Sequence, residues 1–312
     1  IGSGPFTVAD FQPGHSLKLA RSDTYHGTKA ASNIVEFMQY SDADALSKAL
    51  TDGSLDMAAP VSASTATGLN GKDGLTVKEG ATTDKVLLAY NNGIDSLLSD
   101  EQARKAFRYQ IDAAGIASAQ PDAAGALGGP ISLLEPGYED LTGLYPHDEN
   151  QAGQMFSYFG AQYLTTVNLV VPEEYRSLAE TIKQQIERQP RPTVNLEVLS
   201  DEDYAKRIKD GKWELTVMSM DGTDDAGIFA DPDSMFHYDH TEAQQAYADA
   251  RAATNDADYE ARMKAYARLI SEDAASDWLY TRKCFTVAST KVSGYPTSMI
   301  NRRMPLAGLT VK

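Results

Sequence analysis

The densest set of residues able to do chemistry lies between Met220 and Phe236, in the run MDGTDDAGIFADPDSMF. Its aspartates are Asp221, Asp224, Asp225, Asp231 and Asp233. Carboxylates at that density can hold a cation, whether a metal, an ammonium or a guanidinium. Calcium is the sharpest version. Asp221, Thr223 and Asp225 match the first ligand positions of an EF-hand, but Ala226 stands where the glycine is required and Pro232 where the closing glutamate is. The calcium reading fails. The bland alternative is a surface loop whose aspartates are simply solvated. Just downstream, His237 and His240 flank Asp239 at a spacing that could share a divalent ion. The favoured reading is a polar surface segment, so no metal site is assigned. His15, His26 and His147 have no partner at ligand spacing.

Other chemistries find no support. There is no Gly-x-Ser-x-Gly elbow, phosphate loop, dinucleotide glycine fingerprint or His-Glu-x-x-His pair. No catalytic residue and no cofactor is assigned, and the chain reads as a non-enzyme. Cys284, the single cysteine, sits in the apolar run Lys283-Cys284-Phe285-Thr286-Val287 and is expected to pack rather than react. The basic run Lys183 to Arg191 is too short for a nucleic-acid surface.

The elements that must position the aspartate loop are legible around it. Trp213 to Met220 reads as a strand, so the loop leaves a strand's carboxyl end, where open α/β sheets place ligands. Upstream, strands are expected at 164–171 and 194–199, alternating with helices at 173–188 and 200–210. Two polar helices (241–254 and 256–273) and a strand at 278–287 follow. That alternation is the signature of a sheet covered by helices. The stretch Lys85 to Ile116 holds the whole together: an apolar strand ending in Tyr90-Asn91-Asn92-Gly93, then a helix opened by Ser99 and Gln102 as a capping box. On that helix Ala103, Ala106, Phe107 and Ile111 share one face, with Arg104, Lys105 and Arg108 pointing elsewhere. Before it, three strands (7–11, 17–21, 34–40) and a helix ended by Gly53 form a smaller mixed region. Ala113 to Gly129 reads as a loop with a frayed helix.

With 312 residues, 42% hydrophobic, the chain suffices for two cores and holds no run long enough to span a bilayer. Its formal charge of −16 disfavours nucleic acid and anionic lipid as partners. It opens at Ile1 without methionine, leader or lipid-attachment cysteine, so preceding residues are expected to have been removed.

An ordered set of short motifs carries a resemblance: Ile1-Gly2-Ser3-Gly4-Pro5-Phe6; Ile34 to Phe37 followed by LSKALTDGSLDM (46–57); Tyr90-Asn91-Asn92; SDEQARKAFRYQID (99–112); YAKRIKDGKWEL (204–215); Asp231-Pro232-Asp233; and Val292 to Tyr295. Over essentially the whole chain it resembles the family 5 extracellular solute-binding proteins, the peptide and nickel receptors of ABC importers. Asn91-Asn92 departs from the family's usual Asn-Thr. The resemblance implies an α/β, two-lobed periplasmic-binding-protein type II (cluster C) architecture with the first lobe incomplete. Residues 1–88 and 281–312 would be the partial lobe I and 89–280 lobe II. Hinge crossings would fall near 88–92 (Tyr90, Asn91, Asn92) and 279–285.

It also implies a function. The chain would capture di- or oligopeptides between its lobes as a monomer, outside the cytoplasmic membrane, in the periplasm or as a cell-surface lipoprotein, for delivery to membrane permease subunits. Alternatives are another solute on the same scaffold, such as a nickel complex or oligosaccharide, or a surface module without a transport role. Peptide-binding members carry an aspartate in the loop before Asp-Pro-Asp that receives the ligand's α-ammonium. Asp225 or Asp224 is the match, with Asp221, Met220, Phe229 and Asp231 beside them. Arg176 is the candidate for the opposite, carboxylate end. A charge-assisted hydrogen bond nets only about 1.5–3 kcal/mol, whereas micromolar affinity takes about 8 kcal/mol. Most affinity must therefore come from backbone hydrogen bonds and burial.

Overall fold

A computed structural model describes residues 2–158, 166–301 and 303–312. The chain divides into two compact units, one formed by 1–81 with 283–312 and the other by 82–282. The chain passes between units at 81/82 and 282/283, the second within the expected crossing at 279–285 and the first ahead of that at 88–92. The first differs because β5 (Leu75–Tyr90) is one continuous strand. Its burial is complete only from Thr83 onward, so the apolar run seen in sequence marks half of it.

The first unit opens with an antiparallel meander of β1 (Phe6–Gln12), β2 (Ser16–Arg21) and β3 (Ile34–Met38). Its register aligns Val8, Leu19 and Val35 in one row and Phe11, Leu17 and Phe37 in the next. One face of the meander is therefore apolar, and Val8, Phe11 and Phe37 on it are exposed. Helix α1 (Ala43–Asp52) is capped by Asp42, whose carboxylate accepts from the Ala45 N–H, and ends at Gly53 in the left-handed conformation, φ 78°. β4 (Met57–Val61) and α2 (Ala63–Leu69) follow. They pack Leu50, Val61, Ala66, Leu69 and Val287 into a small core.

The second unit is built on a mixed sheet in the order β10, β5, β9, β7, β8. β7 (Thr166–Pro172) runs parallel to β8 (Thr193–Leu199) and β9 (Leu215–Met220), and β5 runs antiparallel to β9. A short β6 (Ala123–Ala126) adds to β10 (Ser276–Ser289). Leu164 and Thr165, expected to open β7, lie outside the described residues.

Strand periodicity sends alternate β5 residues to opposite faces. Val86, Leu88 and Tyr90 enter one core with Phe107, Phe156, Ile182 and Leu279, under α3 (Glu101–Gln110), α5 (Glu149–Tyr158) and α6 (Arg176–Ile186). Leu87 and Ala89 enter the other with Phe229, Phe236, Tyr266 and Trp278, under α8 (Thr241–Arg251) and α9 (Asp256–Glu272). Helix α7 (Asp201–Lys209) buries no residue fully, and α4 (Ala113–Ala119) is a short helix opening the 113–129 stretch, where a loop with a frayed helix was expected.

One reading of α3 needs correction. Its cap is Asp100, which accepts from the Gln102 N–H, while Ser99 lies in the preceding turn and donates to Ser96 O. Arg104 and Arg108, expected off the apolar face, are buried as well, 5% and 4% exposed. Arg104 Nη2 meets Asp273 Oδ2 at 2.6 Å, and Arg108 Nε meets Asp277 Oδ1 at 3.2 Å. Burial pushes the Asp277 carboxyl up to about 7, against the opposing pull of Arg108.

Candidate functional site

Parallel alignment places the ends of β7, β8 and β9, at Pro172, Leu199 and Met220, on one edge of the second unit's sheet. Lys85 pairs across from Met220, so the chain also enters this unit at the same edge. Three polar clusters gather there.

The first is built on Lys85, the residue that opens the apolar half of β5. Its side chain is only 2% exposed. The ammonium donates to Glu135 Oε2 at 2.8 Å and to the carbonyls of Thr83 and Gly222 at 3.1 Å each. It lies 3.4 Å from Asp225 Oδ2. Glu135 also accepts the Ser132 N–H at 2.8 Å, and Asp225 accepts the Gly222 N–H at 2.6 Å. A buried ammonium is tolerable only when surrounded by acceptors in this way. A Cβ at Gly222 would sit 2.1 Å from Asp225 Oδ1, so a side chain there would displace the Asp225 carboxylate.

The second cluster is Asp224, which accepts from Tyr247 Oη at 2.9 Å and lies 3.4 Å from Arg251 Nη1. The third surrounds Arg282. Its guanidinium lies 3.4 Å from Asp84 Oδ2 and 3.2 Å from Asp122 Oδ2, and it donates to Tyr175 Oη at 3.2 Å.

The remaining expected site residues fall as follows. Asp221 is half-buried, and its carbonyl accepts from Thr83 Oγ1. Met220 is half-buried against the helical core. Phe229 is fully buried, in a turn of 3-10 helix at Asp225–Ala230, with ring centroids 4.4 Å from Phe236 and 5.5 Å from Trp278. Asp231 is exposed and accepts the Asp233 N–H. Arg176 is held by both oxygens of Glu173 at 2.7 Å, with half its side chain exposed. The fold brings Asp221, Asp224 and Asp225 to one edge, whereas Phe229 serves the core. Lys85, Glu135 and Arg282 were not picked out by sequence reasoning. A lysine opening a strand buried on both faces was the available signal.

Tyr90, Asn91 and Asn92 are at the opposite end of β5, inside the second unit. They are tied down there: the Asn91 N–H donates to Glu214 O, and its side-chain amide to Trp213 O. Asn92 Nδ2 donates to the carbonyls of Tyr90, Phe236 and Ala275. Burial pushes the Tyr90 phenol well up. A groove of about 1320 Å³ opens at this end, lined by Asn91, Trp213, Lys212, His237 and His240 among others. His240 is committed to capping α8, its Nδ1 accepting the Ala243 N–H. No group of three metal-ligating side chains occurs among the described residues.

The model of the bacterial extracellular solute-binding proteins, family 5 (middle part), matches residues 1–247, and the chain belongs to that family. A search of curated proteins returns no match. The ABC transporter substrate-binding protein CtaP of Listeria monocytogenes is 15% identical, with TM-score 0.86, covering 99% of this chain and 67% of its own. NikA of Brucella suis, in complex with Fe(III)-EDTA, is 16% identical with TM-score 0.80, covering 100% and 68%. The oligopeptide-binding protein AppA of Bacillus subtilis, in complex with a nonapeptide, is 16% identical with TM-score 0.73, covering 99% and 66%. The fold is thus α/β, of the two-lobed periplasmic-binding-protein kind, and the chain spans about two thirds of the length of these structures. The family is one of binding proteins, and among the described residues no helix is long and apolar enough to cross a membrane.

Proposed function

We propose that this chain captures a small solute outside the cytoplasmic membrane, in the periplasm or at the cell surface as a lipoprotein, and hands it to the permease of an ABC importer. The protein acts as a monomer, without cofactor and without catalysis. The observation that carries this reading is the family match over residues 1–247 of 312. The solute is bound at the carboxyl edge of the second unit's sheet, where the 221–231 loop and half-buried Arg282 place polar groups beside half-buried Met220. The chain flexes at Ala81-Thr82 and Arg282-Lys283, where it passes between the units, rather than at Tyr90 to Asn92, which are fixed by hydrogen bonds.

Short peptides are the first solute class, supported by the nonapeptide carried by the Bacillus protein of the same fold. A metal chelate is the second reading, supported by the Fe(III)-EDTA carried by the Brucella protein. Thermal-shift screening of the full-length protein against pooled di- to nonapeptides and against nickel with histidine separates them. Peptide pools are expected to raise the melting temperature. A shift with nickel–histidine alone would replace the first reading by the second, and no shift with any solute would refute both.

A further inference from the structure

At the carboxyl edge of the second unit one apolar side chain stands in water although the chain around it is buried. Leu133 is 67% exposed, whereas Ile131, Ser132 and Glu135 are 4%, 0% and 7% exposed. A lone leucine turned outwards is ordinary on a loop that is free to move. This loop is fixed. The Ser132 N–H donates to Glu135 Oε2 at 2.8 Å, and the same oxygen accepts from Lys85 Nζ at 2.8 Å. Lys85 Nζ also donates to the Gly222 carbonyl at 3.1 Å. Leu133 follows Ser132 directly, so these bonds hold it beside the 222–225 turn.

The interior at this edge is apolar too. Met220 is the cross-strand partner of Lys85, so the two side chains share one face of the sheet. On that face half-buried Met220 packs against the core that holds Leu127, Ile131, Met263 and Trp278. Leu127 and Ile131 are this segment's buried contribution to that core, and Leu133, two residues on, is left uncovered. A ligand group that covers an already fixed apolar side chain gains the burial without having to order the loop.

We infer that Leu133 is a specificity-determining residue of the solute site, forming with Met220 an apolar subsite for a non-polar side chain of the bound peptide. The ligand class is accordingly a peptide carrying at least one aliphatic or aromatic residue. This rests on the reading that a peptide binds at the carboxyl edge of the second unit.

A cycle of changes in protein and ligand tests it. Full-length parent and Leu133→Ser are titrated calorimetrically with di- to nonapeptides on an alanine background, each carrying one leucine, phenylalanine, serine or asparagine. The parent is expected to bind the leucine or phenylalanine form about tenfold tighter than the serine form at one position of the peptide. Leu133→Ser should bring the two forms within about twofold, with an unchanged melting temperature, and Leu133→Met should keep the preference. Equal parent affinities across the series, or a preference that survives Leu133→Ser, would overturn the inference and leave the binding edge standing. Amide-exchange protection by a bound peptide at 91–96 in place of the 220–231 loop, or no binding by any of these peptides, would overturn the reading and this inference with it.

Discussion

Replacing Lys85 by methionine isolates the energetics of the buried cluster. Methionine keeps most of the stem's volume and removes the charge, leaving Glu135 at 4% side-chain exposure and Asp225 at 19% without their ammonium. Breaking a buried ion pair by deleting one partner costs about 3–5 kcal/mol, because the survivor stays desolvated. Loss of the two carbonyl contacts at 3.1 Å adds to this. In a body the size of residues 82–282, each kcal/mol moves the melting temperature by about 2–4 °C. The single variant should therefore melt on the order of 10 °C lower. Lys85→Met/Glu135→Gln removes the worst orphaned charge, and the new side-chain amide oxygen can still accept the Ser132 N–H, so it should recover more than half the loss. Urea or thermal denaturation followed by circular dichroism reads both. A single variant within about 1 kcal/mol of the parent, or a double variant no better than the single, would refute the claim that this cluster is a desolvated, mutually dependent unit.

Asp277→Asn tests the other buried carboxylate. Burial holds the folded-state value near 7 against an ordinary 3.8, so the folded protein binds more protons than the unfolded chain between those limits, and this group's contribution to stability falls as pH rises through the window. The asparagine variant, neutral throughout, should gain on the parent in melting temperature from pH 4 to 7, and a constant difference would contradict the assignment. Gly294→Ala should destabilise the first unit by roughly 2 kcal/mol or more, since φ is +81° and a Cβ would sit 1.9 Å from Gly308 O; chemical denaturation measures it. Phe11→Thr with Phe37→Thr should lower binding of a hydrophobic-surface dye by this chain at little cost in stability, because both side chains lie exposed on the apolar face of the meander.

The element series of the second unit was legible because its strands and helices carry unmixed periods. Val86 to Tyr90 is continuous apolar sequence, and Gly53 ends its helix where expected. What escaped the sequence is long-range pairing. Arg104 and Arg108, four apart, stand off the helix's apolar face, but nothing local shows that they meet Asp273 and Asp277, also four apart and 169 residues further along the chain. Lys85 was hidden for the same reason, since Glu135 lies 50 residues away. Phe229 could not be told from a pocket aromatic, because a phenylalanine in an acidic loop has the same local signature whether it lines a site or anchors a turn.

The most direct test of the account is where a solute lands. Amide hydrogen exchange of the full-length protein, with and without a binding solute, should show protection concentrated in the 220–231 loop and around Tyr175. Protection confined to the opposite end of the same sheet, at 91–96 and 237–240, would contradict it.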